Sequence, residues 1–395
     1  MKKKVLLAFS GGLDTSYCAL YLVKECGFEV VAATINTGGF DEIAANQLQE
    51  KAFSLGALDY KFIDETARFY EQGIKYLIFG NVLKNNTYPL SVSAERVFQA
   101  MALAYLAIEM GVDAIAHGST GAGNDQIRFD LIFQTMCPQI EIITPIRDLA
   151  LSREEEISYL QQHGVEGAWE KALYSINEGL WGTSIGGMET LTSNVVLPEE
   201  AFPNQLQEVD SEVIEIRFEK GEPVSLNGTI MTPIDVIKCL NEWGGKYAIG
   251  RDVHVGDTLI GIKGRIGFEA AGPLMLIKGH HLLEKHTLSK QQLFIKDQMA
   301  AFYGSLMHEG QYLDPVMRNI EAFLSSSQKN VTGNVEIRLA PYRFQLLGIQ
   351  SDFDLMQSAV ANYGETNKAW SAAEVKGFTK IFSNQTKLYY GLKDA

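Results

Sequence analysis

A loop rich in glycine and hydroxyl groups follows the first apolar run of the sequence. The run Val5–Phe9 leads directly into Ser10-Gly11-Gly12-Leu13-Asp14-Thr15-Ser16, where a helical pattern starts. Backbone N–H groups at a helix N-terminus bind anions, and adjacent glycines let phosphate oxygens approach the main chain. The hydroxyl groups can donate hydrogen bonds to phosphate without adding charge. The loop therefore predicts a phosphate site.

This loop is not a Walker A loop, because the Gly-Lys-Ser/Thr ending is missing. Its pattern SGGxDS/T resembles that of the PP-loop ATP pyrophosphatases, which cleave ATP between the α and β phosphates. The resemblance implies that Asp14 lies near the pyrophosphate and its Mg²⁺, whereas the structural alternative is a helix N-cap. The second predicted strand ends at Asn36-Thr37-Gly38-Gly39, and we expect this segment to border the adenosine.

A second loop combines three glycines with an amide, a carboxylate and a cation between His117 and Phe129. Asn124 and Asp125 can hold a substrate ammonium group, and Arg128 can bind a carboxylate through two hydrogen bonds. This combination predicts a site for an amino acid. The alternative is a glycine-rich turn with solvated charges. His117 is interpreted as a residue that packs the loop rather than as a base.

Short apolar runs and helical patterns alternate through the first half of the chain, which predicts a doubly wound α/β domain with a parallel sheet. The predicted strands are Val5–Phe9, Glu29–Ile35, Tyr60–Ile63, Asp113–Ala116 and Ile140–Thr144. Two predicted helices, Thr15–Cys26 and Ala94–Met110, each end at a glycine. The acidic run 154–156 is interpreted as a solvated helix start.

The second half has a different pattern. Glu212–Phe218 and Val224–Leu226 flank a KGEP turn, and Val335–Gln350 alternates apolar with polar residues, which predicts an α+β domain with an antiparallel sheet. Thr192–Gln207 is the predicted linker or wrapping loop. A C-terminal helix has an apolar face formed by Trp370, Val375, Phe378, Ile381 and Phe382. The predicted domains are 1–170 for ATP binding, 171–365 for the synthetase domain, and 366–395 for an oligomerisation helix.

Composition narrows the possible partners. With 34 basic and 48 acidic side chains, the formal net charge is −14, which disfavours a nucleic-acid partner. The four cysteines lack metal-binding or disulfide spacing and are expected to be free, buried thiols. The basic N-terminus precedes an apolar run too short for a signal peptide or a membrane span. We therefore expect a cytoplasmic protein without a membrane partner.

Several segments, taken in order, resemble the argininosuccinate synthase family over residues 4–285 and more weakly beyond. They are AFSGGLDTS, Tyr88 with Ser93 and Arg96, HGSTGAGNDQIRF, PIRD with SREEEISYLQQHG, and YSINEGLWGTS. The resemblance implies a homotetramer that uses ATP and Mg²⁺ in arginine biosynthesis. The ureido oxygen of citrulline would attack the α-phosphate, releasing pyrophosphate, and the amine of aspartate would then displace AMP.

The resemblance also implies residue roles. The residues expected to face ATP are Ala8, Ser10, Gly11, Gly12, Asp14, Thr15, Ser16 and Gly118. Those expected to hold aspartate are Thr120, Asn124 and Asp125. Those expected to hold the citrulline-type substrate are Tyr88, Ser93, Arg128, Ser175 and Ser184. Asp14, Ser16 and Asp125 are the predicted catalytic residues, and no metal ligand is assigned to the protein itself.

Three positions depart from the family pattern. Ala122 replaces a lysine of the glycine-rich loop, and Gly256 and Phe268 replace a glutamate and a tyrosine expected to hold the α-ammonium of citrulline. One hypothesis is that the enzyme accepts an Nα-acylated citrulline, with the glycine opening volume. The alternative is neutral drift with a compensating carboxylate from elsewhere.

Two other function classes remain open at this point. Another PP-loop synthetase acting on tRNA or a nucleotide would predict a basic face, catalytic cysteines or a glutaminase domain. A non-catalytic nucleotide-binding regulatory protein would need the phosphate loop but not the second loop. Pyrophosphate release measured with ATP, aspartate and candidate ureido substrates distinguishes the enzyme from the binding protein.

Overall fold

A computed structural model describes residues 2–167, 169, 174–357, 360, 363–364 and 368–392. Its first sheet has five strands in the order β3-β2-β1-β4-β5, and every neighbouring pair is parallel. The strands are β1 Lys4–Ala8, β2 Glu29–Asn36, β3 Asp59–Asp64, β4 Ala114–Ala116 and β5 Glu141–Ile143. The predicted doubly wound α/β half is therefore confirmed, with strand bounds that differ by one or two residues.

Burial along β1 explains why this strand is apolar throughout. Val5, Leu6 and Leu7 are all inaccessible to solvent, but Leu6 belongs to one apolar cluster while its two neighbours belong to another. Because successive side chains of a strand point to opposite faces, both faces of the sheet are covered.

Within the described residues eight α-helices surround this sheet, and a π-helical turn, Tyr70–Ile74, joins two of them. They are α1 Leu13–Lys24, α2 Glu42–Ser54, α3 Thr66–Phe69, α4 Lys75–Phe79, α5 Ser91–Met110, α6 Asp125–Met136, α7 Pro145–Asp148 and α8 Arg153–Gln162. Gly111 ends α5 in the left-handed conformation at φ 59°, as predicted for a glycine stop. The chain order reverses between β1 and β4, which leaves a crevice at the carboxyl ends of these strands.

The second half forms two antiparallel sheets, in the orders β10-β9-β8-β13-β14 and β11-β12-β7-β6. The strands are β6 Ser175–Gly179, β7 Gly182–Gly186, β8 Glu212–Glu219, β9 Glu222–Leu226, β10 Thr229–Ile230, β11 Arg251–Asp257, β12 Lys263–Glu269, β13 Gly333–Ala340 and β14 Arg343–Gln350. The predicted hairpin β8–β9 and the predicted alternating strands are confirmed. The four-stranded sheet has no counterpart in the sequence predictions.

The helices of this half are α9 Pro233–Lys246, α10 Ala271–Thr287, α11 Lys290–His308, α12 Pro315–Ser327, α13 Ala372–Phe382 and α14 Asn384–Gly391. One buried apolar cluster contains side chains of both halves, including Leu6 and Phe218. The two halves thus share a core, and the predicted boundary at residue 170 remains a prediction. Among the described residues, none of the helices combines the length and apolarity needed to cross a membrane.

The predicted linker and the C-terminal helix are both found at the surface. Residues 192–207 contain no strand and only the short 3-10 turn Glu199–Ala201, and the Arg265 guanidinium donates hydrogen bonds to the carbonyls of Thr192 and Val195. On α13, Phe378 and Phe382 are 63% and 76% exposed. The apolar face of α13 is therefore uncovered in a single chain.

Candidate active site

A cavity of about 930 Å³ lies at the carboxyl edge of the parallel sheet and extends to the four-stranded sheet. Most of the predicted site residues line it. These are Ala8, Ser10, Gly12, Asp14, Thr15, Tyr88, Ser93, Gly118, Thr120, Asn124, Asp125, Arg128, Ser175 and Ser184. Gly11 and Ser16 do not line it. Residues from distant parts of the chain thus meet in one space.

The phosphate loop owes its shape to Gly11, whose φ of 72° favours a residue without a side chain. The helix α1 then begins at Leu13 with Gly12 as its N-cap, so Asp14 lies in the first turn and does not cap the helix. The Ser10 and Thr15 hydroxyl oxygens lie 3.3 Å apart at the mouth of the loop. The Ser16 hydroxyl is buried and donates to the Gly12 carbonyl at 2.7 Å, which explains why it does not face the cavity.

The acidic run at the start of α8 is not simply solvated, and the structure corrects this interpretation. Glu154 and Glu155 are exposed, but Glu156 is only 3% exposed and lies beside Asp14. Burial and the Asp14 charge raise the pKa of Glu156 to about 8, and burial likewise raises the pKa of Asp14. This carboxyl pair can hold a proton next to the phosphate loop.

Asp125 lies between two guanidinium groups at the start of α6. Its Oδ2 is 3.1 Å from Arg96 Nε, and its Oδ1 is 2.6 Å from Arg128 Nη1. Burial would raise the pKa of Asp125, but the two guanidinium groups more than offset it and hold this pKa below its ordinary value. The carboxylate is therefore ionised, and the three groups together carry one net positive charge.

The sequence reasoning treated Asp125 and Arg128 as separate ligands, whereas the structure pairs them. Arg128 also donates from Nε to the His308 carbonyl at 2.8 Å, so its guanidinium is already held in place. Sequence reasoning named Arg96 only as part of a motif and gave it no role. It donates to the Asn177 side chain of β6 at 2.8 Å and so joins the two halves across the cavity.

The glycine-rich loop before α6 is braced by side chains on both sides. His117 is 1% exposed, its Nε2 lies 2.9 Å from Asp130 Oδ1, and its ring stacks on Phe129. It also lines the cavity, and its interpretation as a packing residue remains a prediction. Asn124 Oδ1 accepts a hydrogen bond from the Leu259 N–H of the β11–β12 turn. Ala122 is exposed.

The end of β2 approaches β6 very closely at the predicted adenosine border. Thr37 and Gly39 line the cavity, and a Cβ atom on Gly39 would lie 2.3 Å from the Glu178 carbonyl oxygen. Only glycine fits this contact without moving the backbone.

Strands β7, β11 and β12 line part of the cavity, which is called its far end below. A Cβ atom on Gly256 would lie 2.7 Å from His254 Nε2, so the space that this glycine leaves is filled by an imidazole. The sequence-based expectation of open volume at Gly256 is therefore wrong, and it is not a carboxylate that occupies the position. Phe268 is fully buried against Tyr88, and their ring centroids are 5.4 Å apart.

Comparison with known proteins adds to this geometry. Residues 4–166 match the family model described as the Arginosuccinate synthase N-terminal HUP domain, and residues 174–389 match the Arginosuccinate synthase C-terminal domain. The chain belongs to the argininosuccinate synthase family. The predicted resemblance and the predicted enzyme class, an ATP-dependent ligase, are thereby confirmed.

Curated relatives of the argininosuccinate synthase family align with the chain over nearly its whole length. Argininosuccinate synthases of Methanocaldococcus jannaschii and Dictyoglomus turgidum are each 36% identical to it, covering 98% of this chain and 98% of each relative. The argininosuccinate synthase of Synechocystis sp. is also 36% identical, with the same coverage. The family likeness therefore includes both halves of the cavity.

Proposed function

We propose that this protein is an argininosuccinate synthase, which joins the ureido group of citrulline to the amine of aspartate and converts ATP to AMP and pyrophosphate. The observation that carries the proposal is that residues of both halves line one cavity, and that both halves match the family. In that cavity a phosphate loop and an amino-acid loop face each other. A protein that only binds nucleotide would not require the second loop.

In the first step the ureido oxygen attacks the α-phosphorus, the bond to the β-phosphate oxygen breaks, and pyrophosphate leaves. The N-terminus of α1 and the hydroxyl groups of Ser10 and Thr15 stabilise the phosphate charges, and Ala8, Gly12 and Gly118 allow close approach. Gly11 contributes the turn that shapes the loop. No covalent intermediate with the enzyme is required. Ser16 acts on the phosphates indirectly, by fixing the first turn of α1 through its bond to the Gly12 carbonyl.

Mg²⁺ is proposed to enter with the phosphates of ATP. Among the residues that the structure describes, no cluster of three or more candidate ligands could hold a metal ion alone. Asp14 at the phosphate loop provides the kind of single carboxylate that Mg²⁺ uses alongside nucleotide phosphates. The ion would neutralise charge on the departing pyrophosphate.

In the second step the aspartate amine attacks the adenylated carbon and AMP leaves. We assign the aspartate to Thr120, Asn124 and Asp125, and the citrulline to Tyr88, Ser93, Arg128, Ser175 and Ser184, all of which line the cavity. The net positive charge of the Arg96–Asp125–Arg128 group favours substrate carboxylates. Alignment of the two nucleophiles with their electrophiles is the main catalytic contribution of these residues.

Two further proposals concern the assembly and its place in the cell. The uncovered apolar face of α13 supports the predicted homotetramer, in which this face would pack on another copy. A cytoplasmic location is consistent with free cysteine thiols at all four positions.

The test measures pyrophosphate and AMP from ATP in the presence of aspartate and a ureido acceptor. With ¹⁸O in the ureido group, we expect the label to appear in the phosphate of AMP, because that oxygen forms the bond to phosphorus. Omission of either aspartate or the acceptor should abolish AMP release. A protein that binds ATP but releases no AMP with any ureido acceptor would instead be a non-catalytic nucleotide-binding protein.

A further inference from the structure

The far end of the cavity determines which acceptor fits, and this inference rests on the proposed function. Because the ureido oxygen must reach the α-phosphorus, the ureido end of the acceptor points to the phosphate loop. Tyr88, which is proposed above to hold the acceptor, stacks on the His254 ring of β11. We therefore place the α-carbon, three methylene groups further along, towards β11 and β12. His254, Gly256 and Arg265 line that end.

His254 is held in an unusual way. It is 6% exposed, its ring stacks on Tyr88 with centroids 5.0 Å apart, and it meets the His308 ring edge-on at 6.1 Å. Its Nδ1 atom is buried and has no hydrogen-bond partner in the described part of the chain. Its Nε2 atom lies over Gly256, where any side chain would collide with it.

The surroundings keep this imidazole neutral. Burial lowers the pKa of His254, and the charge of Lys84 lowers it further. Burial also lowers the pKa of the adjacent His308, with contributions from Arg128, Lys84 and His254. The two histidines therefore add no positive charge, while Arg128 and Arg265 do.

The acidic side chains that line the cavity are Asp14, Asp125, Glu178 and Asp257. Asp14 belongs to the phosphate loop, and Asp125 is held by two arginines. Asp257 is 67% exposed and lies 2.6 Å from the Lys263 ammonium. Glu178 is exposed on β6. Within the described residues, none of these four carboxylates forms an ion pair or hydrogen bond with His254. A buried α-ammonium group needs a counter-ion, and this end of the cavity instead presents a neutral imidazole.

The unpaired Nδ1 atom indicates which nitrogen carries the proton. A buried N–H without an acceptor is rarer than a buried acceptor without a donor, so we assign the proton of the neutral ring to Nε2. The Nε2–H beside Gly256 can then donate a hydrogen bond to an acceptor atom of a substrate in the cavity. An ammonium group offers only donors, whereas the carbonyl of an amide offers an acceptor and carries no charge.

We propose that His254 is a specificity-determining residue that donates a hydrogen bond to the carbonyl oxygen of an acyl group on the α-nitrogen, so that the preferred acceptor is an Nα-acylated citrulline. Gly256 serves this role by leaving the room that the imidazole occupies. The chemistry at the ureido group is unchanged, because the acyl group lies at the opposite end of the acceptor.

The experiment compares citrulline, N-acetylcitrulline and N-succinylcitrulline as acceptors, with AMP release measured at saturating ATP and aspartate. We expect kcat/KM to be at least tenfold higher for an acylated acceptor than for free citrulline. The acetyl and succinyl arms identify the acyl chain, and a preference for either one supports the proposal. Equal or better use of free citrulline overturns it but leaves the proposed function intact. Absence of AMP release with all three acceptors overturns the proposed function itself.

Variants of His254 separate recognition from folding. His254→Asn, which keeps a donor of smaller size, and His254→Ala should each lower kcat/KM for the acylated acceptor at least tenfold more than they lower it for free citrulline. His163→Ala, which replaces an exposed histidine at the C-cap of α8, is the matched control and should change neither value. An equal loss with all acceptors overturns the proposal. If the variants do not fold, substrate binding to the wild-type protein is measured instead. Calorimetry with the wild-type protein then decides, because tighter binding of citrulline than of both N-acetylcitrulline and N-succinylcitrulline overturns the proposal.

Discussion

The Nε atom of Arg96 on α5 lies 3.1 Å from Oδ2 of Asp125 on α6. The same arginine donates to Asn177 on β6, so one guanidinium connects the amino-acid loop with the four-stranded sheet. The Arg96 side chain is 16% exposed, which makes its hydrogen bonds stronger than those of a surface pair. The shape of the cavity therefore depends on a residue to which the sequence reasoning gave no role.

Replacing Arg96 with Gln should lower kcat/KM for AMP release by about 10- to 100-fold, since a hydrogen bond to a charged group contributes about 1.5–3 kcal/mol. KM for aspartate should rise, because Asp125 loses one of the two groups that fix it. Steady-state kinetics measure both values. Arg68→Gln, which breaks an ion pair with Glu65 outside the cavity, is the control. Equal kinetics for the Arg96 variant and the wild type would show that Arg128 alone positions Asp125.

The Glu156 carboxyl group should make stability depend on pH. Burial and the neighbouring Asp14 raise its pKa to about 8 in the folded protein from an ordinary value of 4.5, so the folded state holds an extra proton between these values. The free energy of unfolding then falls as pH rises through this window, by at most about 1.4 kcal/mol per pH unit for one proton. Glu156→Gln removes this titration. The unfolding free energy of the variant should therefore fall less steeply with rising pH than that of the wild type.

Urea unfolding at pH 5.5, 6.5 and 7.5 measures this slope. Glu154→Gln is the matched control, because Glu154 is an exposed carboxyl on the same helical turn. We expect the control to keep the wild-type slope. The same slope in all three proteins would mean that Glu156 is ionised beside Asp14 throughout the pH range.

Gly39→Ala should disturb the contact between β2 and β6. The added Cβ atom would lie 2.3 Å from the Glu178 carbonyl oxygen, so one of the two backbones must move. We expect a loss of about 1–3 kcal/mol in the free energy of unfolding, typical of overpacking, and a raised KM for ATP. Gly348→Ala on β14 meets no atom within 4 Å and serves as the control. An unchanged free energy of unfolding and an unchanged KM for ATP in the Gly39 variant would show that the backbone moves to accept the Cβ atom without loss of stability.

The apolar face of α13 should determine the oligomeric state. The Phe378 and Phe382 rings stack with centroids 5.2 Å apart and are mostly exposed, so aspartate at both positions should prevent burial of this face against another copy. Light scattering after size-exclusion chromatography should give a tetramer for the wild type and a smaller species for the double variant. Lys380→Ala on the same helix is the control. A monomeric wild-type protein would contradict the homotetramer prediction.

The first half of the fold could be predicted closely because buried parallel strands are continuous apolar runs and glycine ends helices at recognisable positions. The strands β6 and β7 were not predicted, since SINEG and GTSIG lack that apolar pattern. Their strand conformation depends on the pairing of β7 with β12, which is more than 75 residues away in sequence.

Two features of the site are indicated by residue spacing in the sequence. Glu156 lies four residues before the buried Leu160 and thus on the same face of α8, which indicates burial. Asp125 and Arg128 are three residues apart on α6, a spacing that permits an ion pair. The roles of Arg96 and His254 had no local signal, because their partners come from other elements.

The sequence by itself determined the phosphate loop, the amino-acid loop and the parallel sheet that carries them, since these depend on local backbone preferences and on apolar periodicity. Only the tertiary structure decided how the charges combine. Whether Asp125 is paired, whether Glu156 holds a proton, and whether an imidazole lies above Gly256 all depend on distances between segments far apart in the chain. Electrostatic and hydrogen-bond energies change steeply over a few ångströms, and folding alone sets those distances.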